Sequence, residues 1–116
     1  MPAYEQVIYA VKKAIVSGQM STGDRFPSVR SLSQELRINP NTAHKAVSAL
    51  VDEKLLEVVS GVGTVVSGEH RPSKDELREL LGQDVEKVVV EAKRLSLDLK
   101  DVQQAVEQHW NRLTKE

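Results

Sequence analysis

Within Asn39-Pro40-Asn41-Thr42-Ala43-His44-Lys45 the chain gathers two amides, a hydroxyl, an imidazole and an ammonium. An asparagine can pair with adenine through two hydrogen bonds, and a threonine can bond a base or touch a thymine methyl. Lysine and histidine can donate to guanine or to phosphate. Apolar residues recur here at helical spacing, with Ala43, Ala46, Val47, Leu50 and Val51 on one side, which leaves Asn41, Thr42, His44, Lys45 and Ser48 on the other. The small size of these outer side chains would let such a helix lie deep in a groove. Asparagine, threonine and proline also gather at helix N-termini for capping alone, so the motif by itself is weak.

Other chemistries lack their residues. The histidines His44, His70 and His109 are far apart in sequence and show no His-x-x-x-His or Glu-x-x-His spacing, and the chain has no cysteine. No phosphate-binding loop or nucleophile motif is present either, so the sequence predicts no catalytic residue, no metal site, no cofactor and no enzyme. Absence of cysteine fits a reducing compartment, with the cytoplasm as the default. The opening Met1-to-Gly18 segment mixes charged with apolar residues, unlike a signal peptide or a membrane span, and no membrane contact is expected.

The elements that must position the polar face follow from spacing. Val7, Ile8, Val11, Ala14 and Ile15 predict a helix over residues 4–17, which Gly18 ends. A loop with two glycines follows. Ser28 then caps a helix that buries Val29, Leu32 and Leu36, and Asn39 caps the next one, with Pro40 in its first turn. Val58-Val59 and Val65-Val66 flank Ser60-Gly61-Val62-Gly63 and read as a hairpin with a flexible tip. Only Val62 is bulky there, so the tip backbone could approach a minor groove or phosphates; the same glycines could also serve a plain turn.

Helix, helix, helix, hairpin makes a winged helix-turn-helix over residues 1–68, mainly α with one small β-hairpin. Residues 69–72 read as a linker. Over 73–116 a short helical tail follows: Ser73 with Glu76 makes a capping-box pattern, and Leu77, Leu80 and Leu81 give a short face that Gly82 stops. One further helix buries Val85, Val88, Val89, Ala92 and Leu95; another, capped by Asp98, carries Leu99, Val102, Ala105, Val106, Trp110 and Leu113. Helices with a single apolar stripe enclose little core alone. They would gain most by pairing with a second copy as a dimerisation element, the alternative being that they fold back on the first domain.

Formal net charge is −1, which alone argues nothing for nucleic acid. Residues 1–66 hold seven Lys+Arg against six Asp+Glu, and residues 67–116 nine against eleven, so any basic face must be local. Dimerisation would double it, and two reading helices about a two-fold axis would demand an inverted repeat.

The stretch from Tyr4 to Val66 resembles the winged-helix domain of GntR-type bacterial transcription regulators. The resemblance rests on Tyr4-x-Gln6, Ile15-x-x-Gly18, Gly23-Asp24, Pro27-Ser28-x-Arg30, Leu32, Leu36, Asn39-Pro40-Asn41-Thr42 and Gly61-x-Gly63-Thr64. With only about fifty residues beyond the wing, the chain is similar to the short YtrA-like subfamily, in which a few helices serve dimerisation. The resemblance implies that Arg30 holds a phosphate or a base edge and that Asn39, Asn41, Thr42 and His44 face the major groove. It further implies that Gly61, Val62 and Gly63 enter or skirt the minor groove, with Arg25 and Lys45 as phosphate partners. Without it, Arg30 would read as a solvated surface charge.

Four positions depart from the family's pattern. Lys54 and Ser96 stand where glycine is usual, Lys45 replaces the commoner arginine, and Ser60 lies where a basic residue often begins the wing. The expected function is a sequence-specific DNA-binding transcription regulator, a repressor acting on an operator duplex as a homodimer. A winged helix used for protein contact is the alternative. A small-molecule effector could sit between paired tails near Trp110, or Trp110 could simply anchor the dimer core.

Overall fold

The computed structural model describes residues 2–68 and 71–114. The linker residues Glu69 and His70, and the ends Met1, Lys115 and Glu116, lie outside the described residues. Among the described residues nine elements occur in the order α1 (Ala3–Val16), α2 (Val29–Leu36), α3 (Pro40–Asp52), β1 (Leu56–Val59), β2 (Gly63–Val66), α4 (Lys74–Arg78), a π-helical segment (Glu79–Asp84), α5 (Val85–Arg94) and α6 (Leu99–Arg112). They form two compact units, the second being Arg71–Leu113.

In the first unit, α3 is the central element. Ala43, Ala46 and Leu50 have no exposed surface, and Val7 and Val11 of α1, Phe26, Leu32 of α2, Leu56 of β1 and Val66 of β2 close the core around them. Two alanines at this spacing remove bulk from α3 where α1 and α2 cross it, so the helices approach closely and Leu50 fills the space beyond. Leu36, expected on the buried side of α2, is 47% exposed. It sits in the last turn of a short helix, past the point where α3 can cover it.

Caps define the helix boundaries. Ser28 Oγ accepts from Ser31 N–H at 3.1 Å, and Asn39 Oδ1 accepts from Asn41 N–H at 2.8 Å with Pro40 in the first turn of α3. The turn between the two helices closes at Arg37, whose φ is +54°, with Ile38 N–H donating to Ser33 C=O at 3.0 Å. At the end of α3, Lys54 has φ +63°, Leu55 N–H reaches Leu50 C=O at 2.9 Å and Lys54 N–H reaches Val51 C=O at 2.9 Å. Both ends are left-handed terminations of the kind glycine usually makes.

β1 and β2 pair antiparallel, with Leu56 opposite Val66 and Val59 opposite Gly63. Part of the stretch read as a loop joins them. Arg25 bridges to Val65, Phe26 N–H donates to Thr64 C=O at 2.8 Å, and Gly23 N–H donates to Val66 C=O at 2.9 Å. β2 therefore has partners on both edges, which anchors the hairpin to the segment leading into α2.

In the second unit the capping box at Ser73 forms: Glu76 N–H donates to Ser73 Oγ at 3.1 Å and Ser73 N–H to Glu76 Oε1 at 3.0 Å. Gly82 does not stop the helix. It lacks the left-handed φ that ends α1 at Gly18, so the chain passes through the π-helical turn directly into α5. Asp98 begins α6, its N–H donating to Asp101 Oδ2 at 2.9 Å. Among the described residues of this unit Ala92 alone is buried, and Val102 and Leu113 are half-buried. Val85, Val88, Val89 and Leu95 on α5 and its end, with Leu99, Val106 and Trp110 on α6, are exposed, because each helix has one apolar stripe and no second layer covers it.

A non-glycine residue held left-handed carries a Cβ–carbonyl clash costing about 1–2 kcal/mol, which glycine avoids at a smaller entropic cost. Lys54→Gly is accordingly expected to stabilise the protein by about 0.5–1 kcal/mol, read as a rise in the thermal melting midpoint with the fold unchanged.

Candidate nucleic-acid interface

Because Ala43, Ala46 and Leu50 turn one side of α3 into the core, the residues a half-turn away are held outward. Asn41, His44 and Lys45 are exposed and Thr42 is half-buried at the edge of this face. Asn39 precedes them in extended conformation, its side-chain oxygen engaged in capping the helix, so its NH2 group remains to donate. The start of α3 also brings the positive end of the helix dipole to the same place.

Arg30 lies exposed in the first turn of α2, where its backbone carbonyl accepts from Ser33 Oγ at 2.9 Å. Ser33 is itself buried, so this bond pins the turn that carries Arg30. Arg25 is exposed and held by its bridge to Val65, which ties a cation to the base of the wing. The sequence reading missed Tyr4, whose ring lies under Lys45 with Nζ 4.0 Å from its centroid. Tyr4 stood out only as part of a motif, and nothing in the pattern linked it to a residue some forty positions away.

At the wing tip Gly61 and Gly63 have φ of +77° and +109°, and a Cβ added at either would meet nothing within 4 Å. Their need is conformational, set by the tight turn in which Val62 N–H donates to Val59 C=O at 3.0 Å. Val62 is 44% exposed between them, with Val58 and Val59 exposed on β1. Residues 55–66 contain no lysine or arginine, so the wing can offer a groove only backbone N–H groups, hydroxyls and apolar contact. Among the described residues no group of three or more His, Asp or Glu side chains could hold a metal ion, and no helix is long and apolar enough to cross a membrane.

A helix-turn-helix with an outward polar helix and a two-stranded wing defines a winged-helix, DNA-binding transcription regulator. The chain belongs to the GntR family: the profile described as bacterial regulatory proteins, gntR family, matches residues 3–66. It is 34% identical over 114 residues to the HTH-type transcriptional repressor YtrA of Bacillus subtilis (strain 168), covering 85% of this chain and 88% of that protein. Among solved structures, YtrA from Sulfolobus acidocaldarius, a GntR-family transcription factor, superposes with a TM-score of 0.61 at 32% identity, over 73% of this chain and 87% of the other. The AraR DNA-binding domain in complex with operator ORX1 superposes with a TM-score of 0.54 at 31% identity, over 58% of this chain and 81% of that one.

The two kinds of contact should separate on mutation. Arg30→Ala is expected to weaken binding to every duplex alike and to reduce the slope of log affinity against log salt by about one unit. Asn41→Ala should cost about 1–3 kcal/mol on the preferred site alone and relax the base preference there, as read by titrating matched and single-base-altered duplexes.

Proposed function

We propose that this regulator is a repressor that binds an inverted-repeat operator as a homodimer, joined through residues 73–116. The observation that carries the dimer is the apolar surface left on the tail. Val85, Val88, Val89 and Leu95 on one helix, and Leu99, Val106 and Trp110 on the next, stand in water in the single chain. So many large apolar residues left exposed on two successive helices mark a contact with another molecule. Val102, half-buried, would complete that contact as a smaller residue between the large ones, whereas Ala92, expected in the contact, is already buried within the chain and has little surface left to add. Trp110, 74% exposed, is the largest apolar group available and is assigned to the dimer core.

Pairing also answers the charge problem. One reading head with seven basic and six acidic residues neutralises few phosphates; two heads double the count and make the second engagement intramolecular. The similarity to the YtrA repressor along 88% of that protein's length supports the repressor reading. Occupancy of a site in competition with transcription is all the chemistry this requires, so the protein acts as a binder and not as an enzyme, in the compartment that holds the DNA, the cytoplasm. Asn41, Thr42 and His44 would read bases, Asn39 would donate from the end of α3, and Arg25, Arg30 and Lys45 would hold phosphates. Gly61, Val62 and Gly63 would meet the minor groove.

Selection of duplexes from a random library at about 0.15 M salt should recover a two-fold symmetric site. Recovery of nothing above background would overturn the specific-reader assignment and favour a winged helix used for protein contact. Val89→Asp should convert the dimer to a monomer in sedimentation analysis and weaken binding to the recovered site by about tenfold or more. Truncation after Gly68 should do the same while the first unit keeps its core. If either variant binds as tightly as the intact chain, the tail has a different role.

A further inference from the structure

Two lysines on the helical face of the first unit have opposite fates. Lys12 Nζ lies 3.3 Å from Glu53 Oε1, so its charge is largely cancelled within the protein. Lys45 Nζ instead lies 4.0 Å over the Tyr4 ring, and among the described residues no carboxylate pairs with it. The face of an aromatic ring attracts a cation without neutralising it, and the ammonium keeps donors free for another partner. Tyr4 is half-buried against the core, so the platform is fixed, whereas Lys45 is exposed at the edge of the outward face of α3.

From this geometry we infer that Tyr4 is a positioning residue for DNA binding, its ring holding the Lys45 ammonium beside the reading face before the duplex arrives. A free lysine loses much of its rotamer freedom on gripping a phosphate, a loss that a planar arginine fork suffers less per bond. Confining the ammonium over a ring in the unbound protein moves part of that loss into folding, and binding is strengthened accordingly. The lysine here thereby recovers some of the preorganisation that an arginine would bring. The inference rests on the DNA-binding reading of α3.

The test is the affinity of the intact chain for a mixed-sequence duplex across a salt series, for wild type, Y4F, Y4L, K45M and Y4L/K45M. Y4F keeps the ring and should bind as wild type does. Y4L should weaken binding about threefold to fivefold. K45M should weaken it further and lower the salt slope by about one unit, and adding Y4L to K45M should change nothing more. Equal losses from Y4L with and without Lys45, tighter binding by Y4L, or an unchanged salt slope in K45M would each overturn the assignment. Should Y4L lower the melting midpoint, the ε-methylene proton shift of Lys45 in the free wild-type protein decides. Displacement upfield of the other lysines supports the ring contact, and coincidence with them refutes it. Wild type that binds no duplex at low salt removes the DNA-binding reading itself, whatever the Lys45 shift reports.

Discussion

The first unit depends on the burial of Ala43, Ala46 and Leu50 along one side of α3. Helices α1 and α2 and strand β1 pack against α3, Phe26 and Val66 complete the same core cluster, and the stripe decides which residues of α3 face water. Because the spacing is helical, rotating α3 by one residue would turn Ala43 outward and bring Asn41 or Lys45 toward the core, where an unpaired amide or ammonium would cost far more than the packing it displaced. The polar face is thus oriented by the apolar one. Alanine matters for a second reason: a larger residue at either position would push α1 and α2 away and splay the turn that carries Arg30.

Helix ends form a second constraint, and here the chain spends stability. Arg37, Lys54 and Ser96 are left-handed without being glycine. Each closes a helix with the same pair of backbone bonds or one of them, and each is followed by an apolar residue, Ile38, Leu55 and Leu97, that can fold back over the helix it leaves. The bonds satisfy carbonyls that would otherwise be orphaned, so the conformation survives the Cβ clash. Arg37 places a cation in the turn between the two helices of the reading motif, a location that a glycine would have left uncharged.

How much of this was legible depended on range. Caps at Ser28, Asn39 and Ser73, the break at Gly18 and the hairpin strands are local events, encoded by residues a few positions apart, and they were readable directly. The face of α3 was readable as well, since its period of three and four is carried by Ala43, Ala46, Val47 and Leu50. What escaped were contacts between distant segments. The bridge of Arg25 to Val65 gives the wing a third partner, and Tyr4 under Lys45 joins the start of α1 to α3; no periodicity announces either. Gly82 misled for a different reason. Glycine ends a helix only when the backbone turns left-handed, and composition does not report φ. Leu36 and the tail valines show the remaining limit, that an apolar stripe identifies a face without saying whether this chain or another molecule covers it.

Charge placement then narrows how such a domain can grip a duplex. With no lysine or arginine from 55 to 66, the wing can offer a duplex shape and backbone donors but no counterion release. Lys12 is engaged with Glu53, so the cations best placed around α3 are Arg25 at the base of the wing, Arg30 at the head of α2, and Lys45 on its ring. Few cations around α3 make for weak non-specific affinity, so a larger share of the binding free energy falls to base edges and, under the homodimer proposed above, to engaging two half-sites together. Weak non-specific binding raises the ratio of specific to non-specific affinity, the quantity that governs occupancy when a single site competes with a whole genome. A net charge near zero, which first counts against nucleic acid, is therefore compatible with a selective reader whose few cations sit on anchored backbone around α3.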